Sequence, residues 1–150
     1  MLDLSRVAVL LGSGITAGTL FAVALSVLPA LFAMEPATYV YAHQLLGRNW
    51  DPTMPVIVLG TTALDIWLAV RADGSGRALF AAAAVLMLLV SAVSHLCNVP
   101  INRRVKAISD PRTLPRDWRD PRPLWRRWHL LRTVFAVTSL AVTAVAVTGA

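Results

Sequence analysis

The chain contains three histidines, His43, His95 and His129. Imidazole is the side chain best suited to move protons near neutral pH. His95 belongs to the series Ser91, His95, Asn98 and Asn102, spaced i, i+4, i+7 and i+11, which an uninterrupted helix places on one stripe. Trp125, His129 and Arg132 follow at i, i+4 and i+7 and share a face of a later helix. His43 lies in an aromatic segment with Tyr39, Tyr41 and Trp50. These residues make His43, His95 and His129 the candidate general bases and hydrogen-bond donors. Asn98, Asn102, Trp125 and Arg132 are the candidate substrate contacts. A metal would draw on His43, His95, His129 and Glu35, because imidazole with carboxylate suits iron, copper or zinc. No HxxxH or ExxH pair fixes two such ligands on one helix. The residues leave the cofactor open between none and a single iron or copper ion.

The elements that position these residues are read from hydropathy. Of the 150 residues 57% are hydrophobic, and the mean hydropathy is +0.64. From Val7 to Met34 no side chain ionises, a run of 28 residues. A bilayer crossing needs about 20 helical residues, whereas the apolar part of a signal peptide has about 7–15. Thr53–Val70 is apolar except for Asp65, Ala78–Ile101 until His95, and Trp128–Ala150 after Arg132. Lipid offers backbone groups no partners, so each run is a helix. The expectation is one all-α integral membrane domain over residues 1–150, with four transmembrane helices. A short interfacial amphipathic helix is expected over Thr38–Trp50, and a Pro/Arg-rich loop over 102–127. Cys97 is the single cysteine, which excludes an intrachain disulfide framework and a CxxC redox pair.

With four spans, the 35–52 and 102–127 segments share one side, with Arg48, Arg103, Arg104, Lys106 and the arginines from Arg112 to Arg127. The other side has only Arg6, Arg71 and Arg77. The positive-inside rule places the long loop in the cytoplasm and both termini outside, in a cell membrane of the bacterial type. The net charge of +6 therefore reports topology and anionic lipid rather than nucleic acid. Asp110-Pro111, Leu114-Pro115, Asp120-Pro121 and Arg122-Pro123 keep the loop from forming a long helix. It is read either as a lid over the mouth of the bundle or as a basic, lipid-facing connector. Trp118, Trp125 and Trp128 are expected at headgroup level.

Several residues carry two readings. Ser91 and Asn98 either make interhelical hydrogen bonds, worth about 0.6–2 kcal/mol, or belong to the His95 site. Pro100 predicts a kink or a helix end. Arg132 either snorkels to the interface or holds an anionic oxygen. Asp65 lies nearer the opposite end, at the depth of Ser13 and Thr16. It is read as a protonated structural pin bonded by those hydroxyls, or alternatively as part of a proton path.

Asn98-Val99-Pro100-Ile101-Asn102-Arg103, followed by Arg127-Trp128-His129-Leu130-Leu131-Arg132, resembles the anthrone oxygenase-like family. Its members are small four-helix membrane proteins sharing an N-x-P-x-N run and a W-x-x-x-R-like tract at the start of the last helix. The Gly-rich first span and Ser26-Val27-Leu28-Pro29-Ala30-Leu31 are also similar to the family's first helix, so the resemblance covers essentially the whole chain. It implies oxygenation of anthrones to anthraquinones in secondary metabolism, with Asn98, Asn102, His129 and Arg132 as motif-borne site residues. The expected partners are a lipophilic small molecule, dioxygen and membrane lipid. A homo-oligomer is compatible with the small residues of Ala136–Ala150. The competing class is a non-catalytic membrane module, a lipid or small-molecule carrier or an anchor for a partner enzyme. A lined cavity of roughly 300 Å³ or more favours the oxygenase, and a closed, dry mouth favours the alternative.

Overall fold

The computed structural model describes residues 2–149, with backbone only for Asp51 and Pro52. Ala150, the expected end of the last span, lies outside the described residues. Five helices follow one another: α1 Leu2–Ala33, α2 Pro36–Leu46, α3 Trp50–Arg71, α4 Gly74–Lys106 and α5 Arg122–Thr148. No strand occurs among the described residues. All except α2 are long and apolar enough to cross a membrane. At 1.5 Å per residue, α1 (32 residues) and α4 (33 residues) are each about 50 Å long. That exceeds a hydrocarbon core of about 30 Å, so their cavity-side ends have length to spare for a site.

The loop is shorter than the sequence suggests. Pro100 neither ends α4 nor breaks it, and the helix continues to Lys106. A single π turn, Ser94–Asn98, precedes the proline, with the Val99 N–H bonded to the Ser94 carbonyl. The turn takes up one extra residue where the proline removes a donor and crowds the preceding carbonyl. α1 uses the same device. Its π turn, Val23–Val27, closes through the Leu28 N–H just before Pro29. α5 begins at Arg122 because Pro123 falls in its first turn, where no N–H is needed. The connection is therefore 107–121.

α1 packs against α3 and α5, and α4 packs against the same two, leaving α1 and α4 on one diagonal and α3 and α5 on the other. Gly12 lets α1 approach α3, since a Cβ there would run into the Thr61 hydroxyl. Two apolar clusters fill the interior. Ala17, Leu20, Val58, Met87, Val90 and Ala136 form one, and Val9, Leu68, Phe80 and Ala146 the other. Asp65 is fully buried, but the expected hydroxyl bonds to it are absent. Thr16 Oγ1 donates instead to the Gly12 carbonyl at 2.9 Å. Ser13 Oγ and both carboxylate oxygens have no partner.

α2 docks on the end of α4. Gln44 Nε2 donates to the carbonyls of Val105 (3.1 Å) and Ile108 (2.9 Å), and Lys106 Nζ donates to the Gly47 carbonyl (3.2 Å). Leu31, Tyr39, Val40 and Val105 form a cluster here, covered by Ile108, Leu114 and Trp118 of the loop. Arg122 ties the arrangement together. Its Nη1 donates to the Leu31 (2.8 Å) and Met34 (2.7 Å) carbonyls at the end of α1, where the Leu31 carbonyl also accepts the Met34 N–H at 3.4 Å. Its Nη2 lies 2.7 Å from Asp120 Oδ2. Burial pushes the Asp120 carboxyl up, but hydrogen bonds from Arg122 and its charge outweigh this and hold it below the usual carboxylate value.

Candidate functional site

A cavity of about 390 Å³ lies between the α2-side ends of the four long helices. This exceeds the size set above as favouring a ligand site. His43 from α2, His95 and Asn102 from α4, and Trp125, His129 and Arg132 from α5 all line it. Leu20, Val23 and Val27 of α1 and Met54 and Val58 of α3 supply an apolar wall. The three histidines, which the sequence separates by dozens of residues, therefore face one space. A more open groove of about 490 Å³ between α3 and α4 at the opposite end has apolar walls, Arg77 and no histidine or amide.

Asn102 organises one side. Its Oδ1 accepts from Trp125 Nε1 at 2.8 Å and pairs with His43 Nε2 at 3.1 Å. Indole is only a donor, so the Asn102 atom is the carbonyl oxygen and His43 Nε2 carries a proton. The rings of His43 and Trp125 meet edge to face at 5.6 Å, and Tyr39 meets His43 at 5.5 Å. Trp125 stacks on His129 at 5.0 Å with 14° between planes. Trp125 is thus buried within the site.

His129 is locked. Arg132 Nη2 donates to its Nδ1 at 2.9 Å, and its Nε2 lies 3.0 Å from the Leu20 carbonyl. Guanidinium only donates and a carbonyl only accepts, so the ring holds one proton, on Nε2. Both nitrogens are committed. Arg132 Nη1 also donates to Ser94 Oγ at 3.1 Å. The guanidinium is held between Ser94 of α4 and His129 of its own helix.

His95 differs from both. Its Nδ1 is 2.9 Å from the Ser91 carbonyl and 3.4 Å from Ser91 Oγ. The carbonyl contact requires a proton on Nδ1, which leaves the Nε2 lone pair of the neutral ring for a ligand. Nε2 has no hydrogen-bond partner among the described residues. His95 is exposed at the cavity edge.

The expected α4 stripe divides at the π turn. Ser91, His95 and Asn102 face the cavity, but Asn98 does not line it. Asn98 is fully buried and its Nδ2 donates to the Trp125 carbonyl at 3.2 Å. It positions Trp125 from behind. The π turn adds a residue to one turn, and Asn98, at its end, leaves the face that Ser91, His95 and Asn102 share. Glu35 is exposed beyond the end of α1. Among the described residues no three of His, Cys, Asp or Glu converge as metal ligands, so Glu35 and the three histidines form no such set.

Of the two readings of the loop, lid or basic connector, the lid is not found. No residue of 107–121 lines the cavity, and α2 covers that end through His43, Leu46 and Gly47. The exposed lining residues are Leu46, Trp50, His95 and Arg103. They flank a gap between the start of α3 and the lower part of α4, where these helices make at most marginal contact. The cavity opens sideways there. The sequence reading missed Ser94, the Leu20 carbonyl and α2 as cover. Prolines two residues beyond each π turn were the available signal for the first two.

A family model described as Anthrone oxygenase matches residues 42–142. The stretch includes His43, His95, Asn98, Asn102, Trp125, His129 and Arg132 and leaves out the first span, whose likeness to the family lies outside it. No curated protein and no solved structure matches the chain.

Proposed function

The chain belongs to the anthrone oxygenase family, and from that premise we propose that it is a membrane-embedded oxygenase of a lipophilic aromatic small molecule, an anthrone-type methylene compound of secondary metabolism. The observation that carries this reading is one cavity holding three histidines in different hydrogen-bonding states. The substrate lies between the apolar α1 and α3 walls and the aromatic α5 side. His95 Nε2 removes a proton from its activated methylene, and Arg132 and Arg103 favour the resulting anion. The carbanion passes one electron to dioxygen. The radical and superoxide join in a C–O bond, giving a hydroperoxide once the proton returns. Loss of water leaves the carbonyl, so CH2 and O2 become C=O and H2O. The sideways opening suits a substrate dissolved in the bilayer, with the Arg-rich side cytoplasmic.

The test is oxygen uptake by the protein in phosphatidylcholine nanodiscs with anthrone, corrected for spontaneous autoxidation. The wild type is expected to turn over, and His95→Gln is expected to lose about 10²–10⁴-fold. Turnover unchanged in His95→Gln would remove His95 from the chemistry. The sideways opening also fits a lipid carrier, which would bind anthrone without consuming oxygen.

A further inference from the structure

We infer that Ser13, Asp65 and Thr143 form a binding site for a monovalent cation such as Na+, in the part of the bundle remote from the histidine cavity. Helical register places the three in one layer. Ser13 lies one turn from both Val9 and Ala17 on α1. Asp65 lies between Val58 and Leu68 on α3, and Thr143 between Ala136 and Ala146 on α5. One flanking residue of each helix belongs to the first apolar cluster and the other to the second. The layer is therefore polar and lies between the two apolar clusters, with the buried Thr16, Thr61, Thr62 and Ser139 on the side of the first, each bonded to a backbone carbonyl.

The occupant follows from the donor set. Ser13, Asp65 and Thr143 are each 0% exposed. Ser13 Oγ, Thr143 Oγ1 and both Asp65 oxygens have no hydrogen-bond partner. By helical register, four oxygens from three helices belong to one layer, to which α4 contributes the small, buried Ala83 and Ala84. Neighbouring helices lie about 8–10 Å apart, so the α3–α5 diagonal is roughly 11–14 Å. That distance fits the absence of a direct Asp65–Thr143 hydrogen bond and leaves room for a small ion between them. Oxygen donors select hard cations, and a single carboxylate balances a single positive charge. A divalent ion would leave net charge in the low-dielectric interior. Arg6, the basic residue of α1, lies beyond the Val9 layer and 3.9 Å from Asp3, outside this set. Buried polar atoms without partners are rare in native proteins and call for a ligand that satisfies them.

The experiment is thermal unfolding of the full chain in detergent as NaCl replaces choline chloride at constant ionic strength, from about 1 to 300 mM. The wild-type Tm is expected to rise with Na+ and saturate, by about 2–4 °C or more for a chain of this size. Asp65→Asn is expected to abolish the rise. Ser13→Ala and Thr143→Val keep the carboxylate and are expected to shift the midpoint to higher Na+, so they decide the matter if Asp65→Asn does not fold. A wild-type Tm independent of Na+, or an equal rise in Asp65→Asn, overturns the site and leaves Asp65 as a protonated group beside water.

Discussion

Replacing Asn102 by alanine tests the hydrogen-bonded frame of the cavity. Asn102 Oδ1 is the common acceptor of Trp125 Nε1–H and His43 Nε2–H. Trp125 and His43 are only 8% and 6% exposed, so water gives their donors limited relief. An orphaned buried donor costs about 1–3 kcal/mol, which for two gives about 2–6 kcal/mol. Measured interhelical bonds in membrane proteins average about 0.6 kcal/mol, which sets a floor near 1 kcal/mol for the pair. Because Asn102 lines the cavity and is half-buried, some water reaches the site, and we expect about 2–3 kcal/mol. At 1.4 kcal/mol per decade this is roughly a 30–140-fold drop in the folding constant. Asn102→Asp retains an acceptor for both donors and is expected to recover most of the loss. Denaturation in mixed micelles, followed by tryptophan fluorescence, measures both variants. A loss below about 0.5 kcal/mol in Asn102→Ala would refute the reasoning. So would an aspartate variant as unstable as the alanine.

Three further outcomes follow from the same geometry. His129→Gln should lower stability more than His95→Gln, because His129 and not His95 bonds across helices, to Leu20 of α1; comparing the two melting curves checks this. Gly12→Ala should destabilise by about 1–3 kcal/mol through overpacking on Thr61, whereas Gly14→Ala and Gly18→Ala, with nothing within 4 Å, should be neutral or slightly stabilising. Asp120 has a folded pKa below its unfolded value of about 3.9. Its pairing with Arg122 thus stabilises fully above that value and is lost as pH falls through the lower, folded one. Limited proteolysis of 107–121 should therefore accelerate on acidification below about pH 4, and Arg122→Gln should remove this dependence.

Sequence alone determined the four crossing helices, because long uncharged runs have only one way to satisfy their backbone groups in lipid. It also determined that His43, His95 and His129 would gather at one end, since strictly alternating spans put their positions on one side. The resemblance carried by Asn98–Arg103 and Arg127–Arg132 was likewise legible in residue types and order. Tertiary structure decided what those residues do. Helical spacing placed Asn98 on the His95 stripe, but a π turn adds a residue and sends Asn98 behind Trp125. Roles among the histidines depend on which donor or acceptor each nitrogen meets, and those partners come from other helices: Arg132 and the Leu20 carbonyl for His129, Asn102 for His43. The cover over the cavity came from α2 rather than the Pro/Arg loop, because Arg122 and the Leu31–Tyr39–Val40–Val105 cluster hold that loop to one side. Depth along a helix can be counted from the chain. Which neighbour a side chain meets at that depth depends on how the helices pack.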